Sequence, residues 1–150
     1  MKLLLTGIFC FVFNATYLPP IAIGAEDVNA PSIGVEETTE YVVPELTVEN
    51  LQKEISRLGI KEGDVVLRQA ILETGWFKCT NCSMGTNNLF GFFYKGKYLS
   101  FDNWVESVEY YKWWQDQVYK GGDYYAFLKK IGYAEAPNYI KYLKSLEGAY

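Results

Sequence analysis

The sequence predicts a mostly helical domain with one small β-hairpin, and three observations predict it. Apolar residues recur at helical spacing in separate stretches from residue 46 onward. Start and stop residues bracket these stretches, with Thr47, Asn103 and Asp123 at the beginnings and Gly59 and Gly75 at the ends. One hairpin signal, Lys95-Gly96, lies between two aromatic-rich arms. A chain of 150 residues has room for one such domain and little more.

The first 25 residues read as a secretion signal. Lys2 supplies the charge, Leu3 to Leu18 is nearly all apolar, and Gly24-Ala25 offers a cleavage point. The rival reading is an uncleaved membrane anchor, which Asn14 and Pro19-Pro20 oppose. Cys10 follows Ile8 and Phe9 and lacks the small residues of a lipoprotein signal. Residues 26–45 hold six acids, no Lys or Arg, and Pro31, Gly34 and Pro44, so they read as an acidic flexible tether. The net charge of −4 belongs to that tether: from Leu46 onward, 13 Lys and Arg meet 12 Asp and Glu, a net of +1. Such balance gives no basic surface for nucleic acid.

The domain occupies residues 46–150. Thr47 caps a first helix whose Val48, Leu51, Ile55 and Leu58 share a face, and Gly59 stops it. A second helix starts at Asp64 and is apolar on most sides through Val65, Val66, Leu67, Ala70, Ile71 and Leu72, as a buried central helix would be. Glu73 stands in its last turn, ahead of Gly75. Residues 76–91 form an ordered loop, and Phe92 to Phe101 form the hairpin. Asn103 caps a third helix with Trp104, Val108, Tyr111 and Val118 turned inward. A fourth follows Asp123, and a fifth opens with Pro137 in its first turn. Trp113 and Trp114 are adjacent and point in different directions, so one of them is structural.

The absence of histidine removes the Ser-His-Asp triad, the Cys-His pair and His-ligated zinc. Removal of the signal leaves two cysteines, Cys79 and Cys82. An even count in an exported chain predicts a local disulfide, while a thioredoxin-like site lacks its βαβ context and a metal site lacks further ligands. No metal or organic cofactor is implied.

Glu73 is the unusual residue. A carboxyl group at the C-terminal end of an apolar helix meets both a low dielectric and the negative end of the helix dipole. Both favour its protonated form, the property a glycosidase acid requires. The bland alternative is a helix-end Glu facing solvent.

The stretch Gln69-Ala-Ile-Leu-Glu-Thr-Gly-Trp76, then Asn87-Asn-Leu-Phe-Gly91, then Gly132-Tyr-Ala-Glu-Ala-Pro-Asn-Tyr139, resembles the glucosaminidase family related to flagellar peptidoglycan hydrolases (glycoside hydrolase family 73). The order and spacing of the blocks agree, across about residues 47–147. The resemblance implies a lysozyme-like helical fold and a peptidoglycan substrate. It places Glu73 at the general-acid position and Tyr133 as the tyrosine that orients substrate or stabilises charge. Asn88, Leu89, Phe90 and Gly91 match the motif lining the sugar cleft. In keeping with that, an Asn amide both donates and accepts, and Gly91 permits close backbone approach. Ala136 departs from the pattern, which usually has an acid before the proline.

Residues 76–150 contain 21 of the 26 Phe, Trp and Tyr residues. Sugars stack on rings, yet a domain of this size also needs a core, so only Trp76 and Tyr94 are assigned to the cleft. A second carboxylate is less legible: Gly91 to Phe101 holds no acid, Glu106 and Glu109 read as solvent-facing, and Asp102 is the candidate that remains. The alternative is attack by the substrate's own acetamido group, with Tyr133 orienting it. The expected activity is that of an exported, monomeric endo-β-N-acetylglucosaminidase cutting the GlcNAc–MurNAc backbone. A muramidase, a lytic transglycosylase and a non-catalytic peptidoglycan-binding module are the rivals.

Overall fold

The computed structural model describes residues 42–134 and 136–150; the expected signal segment and all but the end of the expected tether lie outside them. Among the described residues, five α-helices and one two-stranded antiparallel sheet follow in order. These are α1 (Val48–Arg57), α2 (Gly63–Thr74), β1 (Phe93–Tyr94), β2 (Lys97–Tyr98), α3 (Trp104–Val118), α4 (Tyr124–Lys130) and α5 (Tyr139–Ser145), with a 3₁₀ turn at Ser83–Thr86 before the hairpin. The mostly helical fold with a small hairpin is the one the sequence predicts.

Local rules account for most boundaries. Thr47 Oγ1 accepts from the Asn50 amide at 3.1 Å, and Gly59 (φ +62°) lets the chain turn after α1. Asn103 Oδ1 accepts from Val105 and Glu106, opening α3, and Asp123 caps α4 by accepting from Ala126 at 3.0 Å. Phe93 pairs with Tyr98 and Tyr94 with Lys97, and the turn between them holds Lys95 and Gly96 both left-handed, as a two-residue hairpin loop requires. The exception is α5, which starts two residues past Pro137. The Tyr139 amide instead bonds Ala136 O at 3.0 Å, so Pro137 and Asn138 form a turn ahead of the helix.

Helix α2 runs through the middle. Eight of its twelve residues are buried, Arg68 and Gln69 among them. It opens at Gly63, where a Cβ would meet Ile55 Cγ2 of α1 at 3.0 Å, so glycine permits the close crossing of the two helices. On its other side the core is aromatic. Phe90 lies 4.3 Å from Tyr111 between ring centroids, Tyr111 5.3 Å from Trp114, and Trp114 5.8 Å from Phe92. Most of the aromatic enrichment is therefore core. Of the tryptophan pair, Trp114 is buried and Trp113 is exposed. Trp104 Nε1 donates to Pro44 O at 2.8 Å and docks the segment before α1. No helix among the described residues is long and apolar enough to cross a membrane.

Candidate active site

The C-terminal end of α2 is built by three left-handed residues in a row. Gly75 (φ +55°) caps the helix, and Trp76 (φ +62°) and Phe77 (φ +60°) continue the turn. The last two are strained, since side chains with a Cβ seldom adopt this region, at a cost of order 1 kcal/mol or more each. Thr74 secures the turn: its hydroxyl donates to Ala70 O at 2.6 Å and accepts from the Phe77 amide at 3.1 Å. The result turns Trp76 outward, 39% exposed, three residues after Glu73.

Glu73 is partly exposed as a residue, yet its carboxyl group is sealed: Oε1 is buried and has no hydrogen-bond partner. Burial pushes its pKa up to about 8, against the opposing effect of a hydrogen bond from the Tyr139 hydroxyl. The acid is therefore protonated at neutral pH. Gly91 (φ +67°) lies against it, and a Cβ there would sit 3.5 Å from Glu73 Oε2. A Cβ would make ordinary contact at that distance, so glycine serves here through its left-handed backbone, which brings the loop against the carboxyl group.

Tyr133 and Tyr139 stack at 5.8 Å beside this carboxyl group. Burial first, and the Glu73 charge second, hold both phenols well above the ordinary tyrosine value, so both remain neutral donors. Tyr133 donates to Phe90 O at 2.9 Å, fixing the loop that carries Gly91. Tyr139 is the one that donates to Glu73, and a buried polar chain extends behind it. Gln69 Nε2 donates to the Tyr139 hydroxyl at 3.4 Å, while Tyr111 donates to Gln69 Oε1 at 2.7 Å. Tyr111 and Tyr124 share a hydrogen bond of 2.6 Å, and Gln115 joins Tyr124 to the Lys61 backbone. Sequence reasoning passed over Tyr139 and Gln69. The signal was present: Gln69 is a polar residue on an apolar helix, one turn before Glu73 on the same face.

The remaining expected residues divide. Asn88 is fully buried, and its amide is engaged with the hairpin rather than open to a cleft. Nδ2 donates to Phe92 O (2.8 Å) and Leu99 O (3.1 Å), and Oδ1 accepts from Phe92 N (3.0 Å). Phe90 is likewise core, contributing only its carbonyl to the site. For both, the motif builds the wall behind the carboxyl group instead of a sugar-facing surface. Tyr94 lies on β1, half-buried, with Lys95 Nζ over its ring at 5.2 Å.

The Cys79–Cys82 disulfide expected from the sequence is not formed. Both cysteines are free, and Cys82 Sγ is turned toward the Cys79 carbonyl at 3.9 Å. Burial, then the neighbouring Cys79 thiol, pushes the Cys82 thiol up to about 11, and the Glu73 charge adds to the shift. The loop's own backbone bonds, Cys79 N to Thr74 O and Asn88 N to Ser83 O, give it order without a covalent link.

Of the acids after the hairpin, Glu106 is engaged at the start of α3 and Glu109 pairs with Arg57 farther along it. Glu106 Oε2 accepts from the Asp102 amide at 3.0 Å and Oε1 from Asn103 Nδ2 at 3.2 Å, while Glu109 lies 3.5 Å from Arg57. Asp102 is exposed there, its carbonyl accepting from Asn87.

A protonated, sealed carboxyl group thus stands between a tyrosine and a glycine-bearing loop. The family model described as glucosaminidase, mannosyl-glycoprotein endo-beta-N-acetylglucosaminidase, matches residues 48–150. The chain belongs to the glucosaminidase family. The match covers every helix and both strands, and the family is one of glycoside hydrolases. Among curated proteins none matches the chain. Glu73, Gly91, Tyr133 and Tyr139 are the residues of this glucosaminidase domain that converge on one point.

Proposed function

We propose that the chain is an endo-β-N-acetylglucosaminidase that cuts the glycan backbone of peptidoglycan, with Glu73 as general acid. The observation that carries this reading is the sealed Glu73 carboxyl group, held protonated up to about pH 8, in the block whose resemblance implies the general acid there. Glu73 gives its proton to the glycosidic oxygen as the bond to C1 breaks. Tyr139 fixes the carboxyl rotamer and stabilises the carboxylate that is left. Tyr133 and Asn88 hold the loop bearing Gly91 in place, and the exposed Trp76 and the half-buried Tyr94 offer rings to sugar faces.

Attack by the substrate's own 2-acetamido oxygen accords with Gly91 to Phe101 holding no acid and with Glu106 and Glu109 being engaged elsewhere. In that course the acetamido oxygen bonds to C1 as the leaving group departs. Water then attacks C1, gives its proton back to Glu73, and the acetamide reopens. Configuration is retained. Action on a wall polymer also accords with export, for which residues 1–25 are the expected signal.

Digestion of purified peptidoglycan by the wild type and by Glu73→Gln tests the proposal. New reducing-end N-acetylglucosamine from the wild type alone is the expected result. Undiminished release by a folded Glu73→Gln variant overturns the acid assignment. Reducing-end N-acetylmuramic acid or 1,6-anhydro ends instead reassign the bond to a muramidase or lytic transglycosylase.

A further inference from the structure

We propose that the cavity at the opposite end of α2 is a second ligand site, taking a zwitterionic amino-acid group whose carboxylate seats on Arg68. The cavity, of about 730 Å³, lies between α1, the first turn of α2, Tyr125 of α4 and the end of α5. Arg68 is five residues before Glu73, so the two side chains leave α2 about 140° apart, and the cavity is separate from the active site.

The Arg68 side chain is only 7% exposed, a guanidinium taken out of water. Nε donates to Asp64 O at 3.0 Å, and the Tyr150 hydroxyl lies against the group. Nη1 is sealed and has no hydrogen-bond partner. The acid nearest to it, Glu147 Oε2, stands 3.8 Å away, beyond hydrogen-bond reach, on a side chain 76% exposed. A guanidinium cannot shed its proton, so this unfilled donor is a standing penalty that a well-aligned carboxylate relieves. Glu147, just past α5 and free to swing outward, holds the position loosely.

Two further features favour a carboxylate beside Arg68. Helix α2 starts without a side-chain cap, since Glu62 is left-handed and makes none, and the positive end of its dipole faces this cavity. Lys144 is held over the Tyr125 ring at 4.9 Å on the cavity wall. The acids define the rest of the ligand. With Glu147 displaced, Arg68 and Lys144 face Glu62 and Asp64, two charges of each sign. A simple anion leaves those acids unanswered, whereas an ammonium on the ligand answers them. Free amino acids and short peptides both carry the pair.

The test is an amide-resolved NMR titration of the whole chain with alanyl-alanine, N-acetyl-alanyl-alanine, alanyl-alanine amide and free alanine. Saturable shifts at Gly63, Asp64 and Arg68 Nε with alanyl-alanine are expected, weakened about tenfold or more when either terminus is blocked. Equal affinity for alanine assigns a free amino acid; binding of the dipeptide about fivefold or more tighter assigns a peptide. Glu147→Ala, which removes the competing carboxylate from an exposed position, tightens binding about threefold or more. Glu73→Gln leaves it unchanged. Arg68→Gln abolishes it; should that variant not fold, Lys144→Gln weakens binding in its place. Equal binding of the amide, loss of affinity in Glu147→Ala, or no saturable shift at these groups overturns the proposal.

Discussion

The two ends of α2 bury opposite charges, and they meet that burial differently. At the C-terminal end Glu73 is closed in by Tyr139, Gly91 and the left-handed turn, and it escapes the cost by keeping its proton. Toward the N-terminal end the mid-helix Arg68 reaches back to Asp64 O and is buried, but it has no neutral form, so it leans on an exposed carboxylate 3.8 Å away. The same desolvation leaves a carboxyl group that keeps its proton at one end and a guanidinium with an unfilled donor toward the other. The helix dipole reinforces both outcomes, disfavouring a carboxylate at the C-terminus and favouring one at the N-terminus.

Substitutions at each end break or sharpen this contrast. The largest effect belongs to Glu73→Gln: peptidoglycan digestion falls about 10³-fold or more, measured by released reducing ends, with circular dichroism unchanged. The same variant tests the neutral-acid account through stability. The folded pKa of about 8 exceeds the unfolded value of 4.5, so the wild type's contribution is full below about pH 4.5. It declines by about 1.4 kcal/mol per pH unit up to about pH 8, because the unfolded chain releases a proton that the folded chain retains. Glu73→Gln removes that slope, and its melting temperature exceeds that of the wild type at pH 8 but not at pH 4.

Tyr139→Phe comes next. Loss of its hydrogen bond raises the Glu73 pKa further, so the alkaline limb of the pH–rate profile moves upward while kcat falls about tenfold. Gln69 loses a partner as well, costing about 1–2 kcal/mol in urea denaturation. Gly91→Ala, forced to a φ of +67°, destabilises by about 1–2 kcal/mol in urea denaturation, with its methyl in ordinary contact with the carboxyl oxygen. Smallest is Glu147→Ala, which changes unfolding free energy by less than about 0.5 kcal/mol, since an exposed partner at 3.8 Å contributes little.

Much of the fold was legible because its instructions are local. Thr47, Asn103 and Asp123 cap helices by reaching amides two or three residues onward, and Lys95-Gly96 turns the hairpin through its own dihedral angles. Residue neighbours suffice for such features. Asn88 and Phe90 misled for the complementary reason: their motif matches a cleft-lining segment, but only folding decides which atoms of that segment face inward. The cysteine pair misled similarly, since spacing permits a disulfide while the loop turns Cys82 Sγ toward a carbonyl oxygen.

By itself the sequence determined the helices, the hairpin and the family, all of which depend on spacing within a few residues or on blocks in order. Tertiary structure decided the protonation state of the Glu73 carboxyl group. The Glu73 pKa of about 8 comes from the burial that the loop through Gly91 completes, and it stands despite the opposing hydrogen bond from Tyr139, 66 positions away along the chain. Desolvation acts through space, and its magnitude is set by every atom packed around the charge, whatever its place in the sequence.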